Sequence, residues 1–229
     1  MRSAFASPLL SLGAVVAVVA VVASCAPTTE LDARAPSSAS TSTASQALLG
    51  EDGAVVVTGA NTVLNTYAAL ASNAAAGATS ITVASVADLT SGTFGALKAG
   101  DLVLVIQMSG ATIDTTDTTA YGTISSLGGA GNDEIVEVTS VNTSTNVIGV
   151  TSACGGLRHA YTTAGKAQVV RVVEAKSVVV NSGASVVASA WNGSKGGVVA
   201  IDAQASVQID GAIDVSGQGF RGGCVAGDN

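Results

Sequence analysis

Ser177-Val178-Val179-Val180-Asn181-Ser182-Gly183-Ala184 is answered by Ser206-Val207-Gln208-Ile209-Asp210-Gly211-Ala212, the same pattern with one residue dropped. Each copy runs a β-branched stretch into a turn built on Asn or Asp with Gly, then into a second short apolar stretch (residues 185–188 and 213–215). Each goes on to an aromatic residue (Trp191, Phe220) and to a basic residue ahead of a glycine pair (Lys195-Gly196-Gly197, Arg221-Gly222-Gly223). The offset is 29 residues at the start and 26 at the end. A strand, turn and strand repeated at this period predict coils of a parallel β-solenoid, with apolar side chains stacked inward from coil to coil. The usual hand of parallel crossovers makes it right-handed. Gln208 and Asp214 are expected to face outward. Two copies are few for such a stack, so the upstream domain is expected to cap the first coil.

Upstream, short β-branched runs alternate with Gly, Asn, Asp and Ser. They cover residues 54–58, 80–84, 102–107, 134–141, 146–150, 168–173 and 198–201, and predict strands. The run Leu102-Val103-Leu104-Val105-Ile106 has no alternation, which predicts burial on both faces. Residues 61–72 (NTVLNTYAALAS) are the best helix candidate, on alanine content. All three prolines lie within the first 36 residues, so none interrupts a later strand. The expected class is all-β: a β-rich domain over residues 53–175, then the first coils of a right-handed parallel β-solenoid over 176–229. No terminal cap is evident after Cys224, and a longer parent protein, a partner chain or a frayed tail would each account for that.

The N-terminus carries an address. Arg2 precedes an apolar stretch over residues 9–22, the length of a signal-peptide core and too short to span a bilayer. The boundary Val22-Ala23-Ser24-Cys25 resembles the bacterial lipoprotein lipobox. That resemblance implies cleavage between Ser24 and Cys25, with acylation of the Cys25 thiol. An ordinary secretory signal cut before Ala26 is the alternative. In the lipoprotein family, Ala26 after the Cys is compatible with sorting to the outer membrane. Residues 1–24 are therefore read as signal peptide. Residues 25–52, rich in Ser, Thr and Ala, are read as a flexible tether.

Composition narrows the partners. The 229 residues carry a net charge of −7, with 11% charged and 3% aromatic residues. No basic patch exists, so nucleic acid is not an expected partner. Besides Cys25 there are Cys154 and Cys224. In an exported protein these form one disulfide, or stand as separate thiols, or pair with another chain. His159 has no Cys or His at ligand spacing, so zinc is not expected, and no cofactor is called for.

A longer match runs through the chain. Ala99-Gly100-Asp101-Leu102-Val103-Leu104-Val105-Ile106-Gln107-Met108 resembles the GDxVLIIQM segment of large surface proteins from gliding bacteria. In the same order follow Tyr121-Gly122-Thr123-Ile124, Gln168-Val169-Val170-Arg171-Val172, Ala190-Trp191-Asn192-Gly193 and Gly219-Phe220-Arg221-Gly222-Gly223. The chain is thus similar to adventurous-gliding-motility and haemagglutinin-like surface proteins. The resemblance implies an adhesive or structural role, with extracellular polysaccharide or another surface component as partner. It brings no catalytic residues.

Three further groups were weighed. Asp114 and Asp117, with Asn132, Asp133 and Glu134, offer hard oxygen ligands to calcium. Their spacing matches neither an EF-hand nor a nonapeptide calcium repeat, and solvated loop carboxylates are the ordinary reading. Asp202, Asp210 and Asp214 with Lys195 and Arg221 evoke β-helical polysaccharide lyases and hydrolases. A turn role explains Asp210 better, because it matches Asn181. Trp191, if exposed, would stack on a sugar; at matched repeat positions, Trp191 and Phe220 more often pack. The expected function is that of a lipid-anchored surface scaffold or adhesin, with glycan or calcium binding as the alternative and catalysis a distant third.

Overall fold

The computed structural model describes residues 51–153 and 155–220. The chain enters β1 (Gly53–Val57), turns through Asn61 in the left-handed region (φ 56°), and runs β2 (Thr62–Val63). It then passes through β3 (Tyr67–Ala69), β4 (Ser80–Thr82), a 3-10 turn (Val86–Leu89) and β5 (Leu102–Gln107). A small hairpin, β6 (Thr112–Ile113) and β7 (Ile124–Ser126), precedes β8 (Asp133–Asn142), β9 (Val147–Thr151) and β10 (Ala167–Arg171). The last strands are β11 (Val173–Val180), β12 (Ser185–Val187), β13 (Ile201–Ile209) and β14 (Ala212–Ile213). The fold is all-β.

The paired copies of the repeat lie side by side, in parallel and in register: Ser177 opposite Ser206, Val178 opposite Val207, Val180 opposite Ile209. A third copy was not apparent in the sequence. Residues 54–57 pair in parallel with residues 177–180 on the other side of β11, and β2 pairs with β12. Three rungs therefore stack, as β1-β11-β13 on one wall and β2-β12-β14 on the other. Val55, Val178 and Val207 form one column, and Val57, Val180 and Ile209 another. The first two members of each column are buried, but Val207 and Ile209 at the third rung are 57% and 46% exposed. The turn after β13 is two residues shorter than the turn after β11, since Ser185 meets Ala212, where the sequence comparison counted one.

Between the first and second rungs the chain builds a six-stranded sheet in the order β3-β10-β5-β8-β9-β4, all antiparallel. It curls until the two edge strands meet at a Leu70–Val83 bridge. β5 is buried on both faces, as its unalternating sequence requires. Val103 and Val105 join the core inside the curl with Leu89, Val136, Ile148 and Tyr161. Leu104 packs on the other face with Val170, Val172 and Ala200. The expected boundary at 175/176 falls inside β11, and residues 53–63 stand with the rungs rather than with the antiparallel sheet.

The helix expected over residues 61–72 is not formed. Its alanines sit in β3 and its extension, where Ala68 and Ala69 pair with β10. Asn65 spends its amide on the backbone of two other segments, donating to Arg171 O (2.8 Å) and Ala200 O (2.6 Å) and accepting from Ala200 N (3.1 Å). Long-range pairing outweighs the few tenths of a kcal/mol per residue that helix propensity supplies.

The chain crosses from the antiparallel sheet to the rungs at Val172, whose N–H reaches Leu102 O; the next N–H, of Val173, reaches Ala200 O. A buried charge cluster marks the crossing. Arg171 lies 3.2 Å from Asp101 Oδ2 and 3.6 Å from Asp52 Oδ1, and also donates to Gly95 O and Phe94 O. Glu174 Oε2 accepts from Leu102 N (2.8 Å), and Glu174 N donates to Asp52 Oδ2 (2.9 Å). Lys98 pairs with Glu51 at the rim.

Candidate functional site

A groove of about 490 Å³ lies where three segments converge: the β2–β3 connection, the loop after the 3-10 turn, and the bend over residues 189–196. Buried side chains hold the bend down. Gln168 accepts from Gly196 N (2.7 Å) and donates to Gly196 O (3.0 Å). The Tyr67 hydroxyl donates to Val198 O (2.6 Å), and burial pushes this phenol up to about 12, so it stays a donor at neutral pH. Asn192 Oδ1 accepts from Ser194 N and Lys195 N, a side-chain turn that points Lys195 across the groove. There its ammonium meets Asp88 at 2.5 Å.

Trp191 stands beside this groove. Its N–H donates to Gln218 O, and its ring meets Phe220 edge-on, with centroids 5.4 Å apart. The matched aromatics of the repeat therefore touch each other. Trp191 is half-buried and Phe220 is 41% exposed, so the pair covers the rung while leaving one aromatic surface in contact with solvent. The groove supplies hydroxyl and amide groups from Ser91, Thr93, Ser189 and Asn192, with one carboxylate already paired to one ammonium. Hydrogen-bonding side chains of this kind suit a neutral, hydroxyl-rich ligand, and Trp191 lies between two residues that line the groove without lining it itself.

The remaining candidates are scattered. Asp202 and Asp210 belong to one strand and its exit turn, ~25 Å apart at strand rise, far beyond the separation of a glycosidase carboxyl pair. Their carboxylates accept from Gln204 and Gln208, while Asp214 accepts from Ser216, whose donors hold it below the usual carboxylate range. Asp114 and Asp117 sit in the β6–β7 loop. Asp114 accepts from the hydroxyl and N–H of Thr116, which lowers its titration in the same way. Asn132 and Asp133 lie at the start of β8. Glu134 is a buried brace, accepting from Arg158 N, His159 N and the Tyr161 hydroxyl. Among the described residues, no group of three or more His, Cys, Asp or Glu is placed to hold a metal ion. Ser24, Cys25, Cys154, Arg221 and Cys224 lie outside the described residues.

Sequence reading missed the cluster around Arg171. The signal was present as two charges, Arg171 and Glu174, set inside an otherwise apolar run from Val169 to Ala175. Charges so placed are buried with partners or not tolerated at all.

No protein-family model and no curated protein matches the chain. Solved structures with a weak likeness include two phage tailspikes. The tailspike protein gp49 of Pseudomonas phage LKA1 aligns with a TM-score of 0.29 and 17% identity over 59% of this chain. The tailspike gp61 of Pseudomonas phage phi297 aligns at 0.30 and 13% over 72%. In each case the match spans 24% of the other chain.

Proposed function

We propose that this chain is a lipid-anchored bacterial surface protein with a structural or adhesive role, of the kind used in gliding motility. The observation that carries the reading is the stack of three parallel rungs with two apolar columns that are buried at the first two rungs. Such a stack is rigid and extends by repetition, which suits a stalk or a display scaffold. In this reading the rungs are the opening coils of a right-handed solenoid. The tether over residues 25–52 holds them clear of the lipid headgroups, and the acyl chains on Cys25 anchor the protein to the outer membrane. Two or more chains make a stable anchor where one is marginal. Metabolic labelling with a palmitate analogue is expected to mark the native chain and not Cys25→Ala; equal labelling of both would overturn the anchor.

The groove favours one second reading, a weak glycan-binding surface. Trp191→Ala is expected to abolish retention on immobilised polysaccharide while leaving the melting transition within a few degrees of native. Undiminished retention would assign the Trp191–Phe220 pair to packing alone. The cost of losing a stacked aromatic pair is about 0.5–1.5 kcal/mol beyond its buried area.

A further inference from the structure

The charge cluster at the crossing is unbalanced. Among the described residues, Glu51, Asp52, Asp101 and Glu174 face two cations, Arg171 and Lys98, and Lys98 stands at the rim with Glu51. Arg171 serves Asp52 and Asp101 and donates to two loop carbonyls. Among the described residues, Glu174 has no cation within ion-pair distance. Its Oε2 is held by Leu102 N, but its Oε1 is buried with no hydrogen-bond partner, and the residue is 2% exposed. A buried carboxylate oxygen without a partner is costly when charged and far less so when it carries a proton.

We propose that Glu174 is a proton-operated latch between the antiparallel sheet and the parallel rungs, closed when protonated and loosened when ionised. The position is what makes it a latch. Glu174 belongs to β11, its side chain grips the first N–H of β5, and its backbone N–H grips Asp52 at the entry to β1. One residue thus joins all three segments that meet at the crossing, its carboxyl holding β5 and its backbone N–H holding the entry to β1.

The charged groups around it have known places. Asp101 precedes β5, and Glu51 and Asp52 precede β1. Arg171 ends β10, Asp202 is the in-register neighbour on β13, and Glu137 on β8 lies opposite Leu102. Lys176, on the same strand, is exposed. Burial first, and then the charges of Asp101, Asp52 and Glu51, push the Glu174 carboxyl up to about 7 against the opposing Leu102 N–H. A carboxyl raised in this way binds its proton more tightly in the closed state than in the open one. Closure is therefore fully favoured below the ordinary glutamate value and lost as pH rises towards 7.

Amide hydrogen exchange on the full mature chain tests the latch. After correction for intrinsic rates, Leu102 and Glu174 amides are expected to open about twentyfold more often at pH 7.5 than at pH 5.5. Amides of β9, remote from the cluster, should change little. In Glu174→Gln the uncharged amide keeps an acceptor for Leu102 N, and the pH difference at the crossing should vanish. A native ratio below about twofold, or a Gln variant that keeps the pH difference, would overturn the latch. Should the variant fail to fold, the carboxyl carbon of Glu174 can be titrated by NMR in the native chain. A midpoint near neutrality supports the latch, and one in the ordinary glutamate range overturns it.

Discussion

Arg171→Leu is expected to destabilise the protein by about 3–5 kcal/mol, measured as the loss of unfolding free energy in urea at neutral pH. Leucine restores much of the buried volume, so the effect isolates the charge. The guanidinium is 4% exposed, and Asp101 and Asp52 beside it are 2% and 8% exposed. Its removal strands two buried carboxylates, takes the guanidinium donor from Phe94 O and leaves Gly95 O with the Ser91 N–H alone. Asp101 already titrates above the ordinary range, because burial outweighs the Lys98 N–H and Arg171 that hold it down. Arg171 is one of the groups that hold this carboxyl down, so without it Asp101 should bind its proton more tightly still and acidification should recover part of the loss. Adding Asp101→Asn should also recover part of it. A loss below about 1 kcal/mol would mean that the cluster is as weak as a surface ion pair.

The local parts of the fold were legible. The apolar run at Leu102–Gln107 and the turn glycines around it specify a strand buried on both faces, because only short-range pattern is needed. The Ser177 and Ser206 copies specify their own register, since stacking like on like puts Val178 over Val207 and Val180 over Ile209 on one face. The first rung was hidden by distance: its partner strand lies more than a hundred residues later, with a whole sheet inserted between. Residues 61–72 misled for the same reason. Alanine favours helix locally, but the segment is decided by Asn65 and by β10, which sequence proximity does not reveal.

The candidate site divides in the same way. Trp191 and Phe220 matched in the repeat and met in space, because residues at equal rung positions stack. The acidic candidates had only residue type in their favour. Glu134 shows why type is weak evidence: three donors from Arg158, His159 and Tyr161 occupy it fully. Arg171 and Glu174 stood out as charges among valines, yet their partners Asp52 and Asp101 arrive from two other segments.

Gly211→Ala is expected to detach the third rung at a cost of about 3 kcal/mol, the upper end of overpacking penalties, while the rest of the protein stays folded. A methyl group at Gly211 would lie 2.2 Å from Ala184 O and 2.4 Å from Asn181 O. Both contacts are to backbone of the rung above, so no side-chain rotation relieves them. The shortened turn explains the crowding. Two fewer residues after β13 draw Gly211 directly beneath the turn after β11, where its N–H bonds Val180 O. Gly183 in that upper turn is a glycine for a different reason. Its φ is +79° and nothing lies within 4 Å of its added carbon, so Gly183→Asn should cost only about 1 kcal/mol. The readout is local exchange: the Ala212 and Asp214 amides, bonded to Ala184 O and Val186 O, should lose protection in Gly211→Ala. The Leu104 and Val105 amides within the six-stranded sheet should keep theirs. Unchanged protection at Ala212 would mean that the third rung does not depend on the close approach at Gly211, and loss throughout would mean that the rungs and the curled sheet unfold as one unit.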